Sequence, residues 1–171
     1  MDSTVITSEL NSETDLIEWG QAPPVQILTR VYEIQLSVPI EIAWQRMVHE
    51  VDSWWPHCYK DGSTVLIEAY PGGRWWERFA DGVNGSLWGH VVYIDPPTVL
   101  KVIGNFALPG VSNSAGVWRM EENADGTLLK VSGEMLGAFD LETLKSRKSG
   151  TVEVINSLRS FINTGVRVER T

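Results

Sequence analysis

The chain of 171 residues holds one cysteine, Cys58, so it has no internal disulfide to staple it. Long apolar runs are missing too, which excludes a membrane-spanning helix. The start, Met1-Asp2-Ser3-Thr4, lacks the basic residues of a secretory signal, and the expected location is cytoplasmic. Histidine is scarce: His49, His57 and His90 show no paired-ligand spacing with a carboxylate, and no metal or other cofactor is expected. Basic residues are absent from residues 1–20, which carry five carboxylates (Asp2, Glu9, Glu13, Asp15, Glu18). Without that leader the net charge of −8 falls to −3, so the body presents no electrostatic footprint for nucleic acid.

What is present is a core and its punctuation. A hydrophobic content of 43% with 21% charge suits one folded domain. Residues 1–27 read as an acidic arm ending in the stiff Gln21-Ala22-Pro23-Pro24 linker, 28–163 as the folded domain and 164–171 as a tail. Leu16, Ile17 and Trp19 could dock the arm on a neighbouring surface or a second subunit, so a homodimer stays open.

Alternation over Arg30–Val38 predicts a strand. Pro39 suits a first helical turn, and Ile40, Ala43, Trp44, Met47, Val48 and Val51 recur at threes and fours, predicting a helix over 39–50. Asp52-Ser53 caps a second short turn carrying Trp54 and Trp55, which Pro56 closes. Strands follow at about 64–70, 73–79, 86–95, 99–106, 115–122 and 127–136, separated by Pro71-Gly72-Gly73, Asp81-Gly82, Asn84-Gly85, Asp95-Pro96-Pro97, Pro109-Gly110 and Asp125-Gly126. Ser112, Asn113 and Ser114 read as a connector. From Asp140, an N-cap, the period becomes helical to about Asn163. The predicted fold is α+β: a curved antiparallel sheet of six to seven strands wrapped on a long C-terminal helix, with two short helices after strand 1.

These corners and this order resemble the START-like (SRPBCC, helix-grip) superfamily. Within it the chain is most similar to the branch related to the activator of the heat-shock chaperone ATPase. The resemblance rests on Trp54-Trp55-Pro56, Pro71-Gly72-Gly73-Arg74-Trp75, Gly89 to Val92 leading into Asp95-Pro96-Pro97, Asp125-Gly126-Thr127, and Gly150…Leu158…Phe161-Ile162, over about residues 28–163. It implies a pocket between sheet and helix, and it leaves lipid and hormone binding, polyketide cyclisation and co-chaperone activity all open. A chaperone partner is implied by the branch alone. Two departures from relatives stand out: Thr151 replaces an aromatic and would enlarge the pocket, and Glu77 replaces an apolar residue and would put a charge in it.

Strand parity places Trp75, Glu77 and Phe79 inward, then Trp88, His90, Val92 and Ile94, then Leu100, Val102, Gly104 and Phe106, then Gly116, Trp118 and Met120, then Leu129, Val131, Gly133 and Met135. Glu77 and His90 then face each other as the polar end of an aromatic-lined pocket, satisfying one another or moving a proton. The expected ligand-binding set is Glu77, His90, Trp75, Trp88, Trp118, Phe106, Met120, Thr151 and Ile155. His57 and Cys58, adjacent in an extended chain, point apart and make a poor nucleophile pair, and no catalytic residue is assigned. The leading expectation is a non-catalytic binder of a small hydrophobic or aromatic molecule. An enzyme of the polyketide cyclase or aromatase kind, with His90 or Glu77 as base, and a surface-acting co-chaperone are the alternatives.

Overall fold

The computed structural model describes residues 23–106 and 111–170. The arm carrying Leu16, Ile17 and Trp19, the linker residues Gln21 and Ala22, and Pro109-Gly110 lie outside them. Seven strands form one antiparallel sheet: β1 (Val25–Leu36), β2 (Thr64–Ile67), β3 (Arg74–Arg78), β4 (Gly85–Asp95), β5 (Val99–Gly104), β6 (Ser112–Asn123) and β7 (Gly126–Ala138). Their spatial order is β1-β7-β6-β5-β4-β3-β2, so the meander runs from β2 to β7 and β1 closes the far edge beside β7. Between β1 and β2 come α1 (Ile40–Trp44), a π-helical turn (Gln45–His49) and a 3₁₀ turn (Val51–Ser53). The long helix α2 (Leu141–Thr164) completes the helix-grip α+β architecture that the sequence predicts.

Several boundaries differ from the periodicity. β1 begins at Val25, five residues before the alternation predicted, and pairs along its whole length with β7. The predicted single helix over 39–50 is α-helical only to Trp44 and then widens into the π turn, with Pro39 in the N-cap position rather than inside the helix. Ser112, Asn113 and Ser114 are the first residues of β6, not a connector.

β4 departs from simple alternation twice. Trp75 pairs with Gly89 but Trp76 with Leu87, leaving Trp88 as an extra residue. Val91 pairs with Val102 but Tyr93 with Lys101, leaving Val92 extra. Each bulge shifts parity by one and bends the strand. A Cβ on Gly104 would overlap the Trp88 carbonyl oxygen and the Gly89 Cα, so the β4–β5 crossing at the first bulge requires glycine.

α2 is capped at both ends. Asp140 accepts a 2.7 Å hydrogen bond from the Thr143 N–H, and Gly165 takes a left-handed φ of 72°. The helix has two distinct halves. Leu158, Phe161 and Ile162 are sunk in the core with Leu36, Val48 and Trp54, whereas the earlier half stands off the sheet. Among the described residues no helix is long and apolar enough to cross a membrane.

The segment after α2 is strapped to the 3₁₀ turn. Asp52 accepts from the Val65 N–H at 2.7 Å, from Arg167 at 2.5 Å and from Arg170, while the Val168 N–H donates to the Ser53 carbonyl at 2.9 Å. Burial alone would raise the Asp52 carboxyl, but these bonds outweigh it and hold its pKa below the ordinary value. A carboxyl depressed in the folded state stabilises above its unfolded pKa and loses that contribution as pH falls through the folded one. Asp52→Asn should therefore lower stability at pH 7 by about 1–3 kcal/mol and remove part of the loss seen below about pH 4, as read from urea midpoints across pH.

Candidate functional site

The standing-off half of α2 roofs a cavity of about 610 Å³ above the concave face of the sheet. Its existence follows from small residues where the sheet bends. Gly116 on β6 and Ser114, one inward position before it, line the floor, and Gly150 and Thr151 line the cavity from the helix. Larger side chains at those positions would fill the space.

Aromatic rings form its wall. Trp55 lies 5.0 Å from Trp75 and 5.2 Å from Trp88, and Trp75 lies 6.0 Å from Trp118 and 5.5 Å from Phe106, mostly edge to face. Trp54 backs this wall, fully buried, with its indole N–H donating to the Met47 carbonyl at 2.9 Å. The indole N–H groups of Trp55, Trp75 and Trp88 are buried and meet no acceptor among the described residues. Phe106, at the cavity edge, holds a positive φ of 49°, a backbone conformation that costs a phenylalanine about 1–2 kcal/mol.

Of the expected ligand set, Trp75, Trp88, Trp118, Phe106, Thr151 and Ile155 line the cavity. Met120 is buried in the adjoining core and does not reach it. The Glu77–His90 pair does not exist. The bulge at Trp88 reverses the parity that placed His90 inward, so His90 pairs with Arg74 and Ile103 on the outer face. Val92, also expected inward, is 46% exposed, and Val91 takes its place in the core. Ile94 returns inward because the second bulge restores the parity.

Glu77 does face inward and is fully buried, but under the segment that follows Pro56 rather than in the cavity. Its carboxylate accepts from the Tyr59 N–H at 2.9 and 3.0 Å and from the Lys60 N–H at 3.2 Å. A buried carboxylate needs such donors, and backbone supplies them. The consequence is positional: the segment so anchored carries His57, Cys58 and Tyr59 to the cavity rim, with the Tyr59 ring 5.6 Å from Trp88.

Four lining residues outside the expected set matter: Arg30, Tyr32, Trp55 and Arg147. Arg30 and Tyr32 share the inward parity of Ile34 and Leu36, and Arg147 precedes Thr151 by one helical turn, so both patterns were readable. Both arginines are half-buried, and neither has a carboxylate partner among the described residues. Burial pulls the Arg30 pKa down, and burial together with the neighbouring Arg30 charge pulls Arg147 down to about 10. Arg147 nevertheless stays charged at neutral pH.

With this geometry in view, comparison with known proteins speaks to the fold. No family model matches the chain, and no curated protein does. Solved structures do. An uncharacterized protein from Rhizobium leguminosarum superposes with a TM-score of 0.61 at 18% identity, over 81% of this chain and 96% of its own. Ara h 8.0201 gives 0.58 at 15% identity, covering 80% of this chain and 98% of that one. A protein of unknown function from Staphylococcus aureus gives 0.58 at 12%, covering 82% and 96%. The chain has a helix-grip fold.

Glu77→Gln would remove the charge that both N–H groups face and place an NH2 donor where Oε2 accepts from the Tyr59 N–H at 3.0 Å. It should cost about 1–3 kcal/mol and speed amide hydrogen exchange at both residues. Unchanged exchange there would show that the carboxylate does not hold the rim.

Proposed function

We propose that the protein binds a small hydrophobic or aromatic molecule in the cavity between the sheet and α2, without catalysing its conversion. The observation that carries this reading is the cavity itself, about 610 Å³ of space that Trp55, Trp75, Trp88 and Trp118 line without filling. That size falls within the range of small-molecule sites. A ligand burying on the order of 200 Å² of apolar surface there gains about 5 kcal/mol before its entropic cost. The fold shared with Ara h 8.0201 is compatible with ligand uptake.

The enzyme alternative loses the groups proposed for it. His90 is on the outer face and both Glu77 oxygens are taken by backbone donors outside the cavity, so neither is placed as a general base for a bound molecule. The co-chaperone alternative, and with it the particular branch of the superfamily, rests on the sequence resemblance alone, and no arrangement described above favours it.

Titration with a hydrophobic fluorescent dye or a fatty acid should quench tryptophan emission saturably. Thr151→Trp, which projects an indole into the cavity, should weaken that binding at least about tenfold without lowering the melting temperature. Equal affinity in the variant would place the binding elsewhere.

A further inference from the structure

The polar side chains inside the cavity are mostly donors. Arg30 reaches in from β1 and lies against Gly133, where a Cβ would sit 3.5 Å from its Nε. Arg147 comes down from α2, its Nη1 reaching only the thioether sulfur of Met135 at 3.4 Å, and its buried Nε meets no acceptor. Met135 and Gly133 are successive inward positions of β7, which brings the two guanidinium groups to one end of the cavity. Two like charges held together and half-shielded from water, without a counter-charge, are unfavourable for the fold itself. Charge of that kind concentrates where an oppositely charged group is to be received.

Two carboxylates also line the cavity, Asp140 and Glu142, and they limit what can enter. Both are exposed to water at the mouth, and Asp140 is engaged in capping α2 through the Thr143 N–H. They leave the inner arginines unneutralised but would repel a multiply charged anion such as a polyphosphate. A single negative charge on an apolar body fits both conditions.

Resting on the cavity-binding reading above, we propose that the molecule taken up is an organic monocarboxylate, its acid group held between Arg30 and Arg147 and its apolar body against Trp55, Trp75 and Trp88. Planar guanidinium groups match a carboxylate through paired N–H donors, and Arg147 brings an Nε that now has no acceptor. The unpartnered indole N–H groups add donors along the wall, suited to an ether or carbonyl oxygen on the body of the guest.

The test is calorimetric titration of the full chain with 2-naphthylacetate and, as its neutral match, 2-naphthylacetamide, at pH 7 and low salt. The wild type should bind the acid at least about tenfold more tightly than the amide. In Arg147→Gln and in the Arg30→Gln/Arg147→Gln double variant the acid should fall to the affinity of the amide, which itself stays within about twofold. Equal binding of acid and amide by the wild type would overturn the anion assignment and leave the cavity reading standing. A preference that survives in the double variant would overturn it as well. Binding of neither compound at millimolar concentration would remove the cavity reading and this assignment together. The wild-type comparison needs no substitution, so a variant that failed to fold would not leave the question open.

Discussion

Two extra residues in one strand set the inside and the outside of this protein. Trp88 and Val92 each enter β4 without a partner on the neighbouring strand, and between them every side chain faces opposite to where unbroken alternation would put it. Val91 joins the core, His90 goes outward, and Trp88 turns its ring to the cavity wall. The same bulges tighten the bend where Gly89 and Gly104 crowd together. The bend lifts the sheet away from the first half of α2, while Leu158, Phe161 and Ile162 hold the second half down. The hollow is what remains between a fixed hinge and a curved floor.

That geometry explains how much was legible. Element order and type, the meander, the capped terminal helix and the inward sets of β5, β6 and β7 followed from periodicity and turn residues, because those strands alternate without interruption. A bulge leaves no such mark in the period. Trp88-Gly89-His90-Val91-Val92 reads as well with even residues inward as with odd, and only the partner strands decide. The π turn at Gln45–His49 was hidden for a similar reason: apolar residues at threes and fours continue through it, although the backbone spacing widens.

The site divides along the same line. Trp75, Trp118, Thr151 and Ile155 were placed by patterns that hold, Phe106 reaches the cavity from the turn beyond β5 rather than by strand alternation, and Trp88 reached the wall as the bulged residue itself. Glu77 was correctly turned inward, but its partners are backbone N–H groups eighteen and seventeen residues earlier in the chain, and no spacing rule announces such a contact. The parity of Arg30 and the helical phase of Arg147 are visible in the sequence, but arginine in such a pattern reads by default as a solvated surface residue. The buried carboxylate and the half-buried guanidinium groups thus have opposite fates. One is saturated and structural, and the others retain donors that face the cavity.

The tryptophan wall borders accessible space. The most direct measurement is the indole N–H region of a ¹⁵N-correlated NMR spectrum, recorded as an apolar aromatic ligand is added to saturation. Trp55, Trp75, Trp88 and Trp118, which line the cavity, should shift together with one affinity, while Trp76, on the opposite face of β3, stays in place. Movement of Trp76 with the cavity indoles unmoved would put binding on the outer surface and contradict the account.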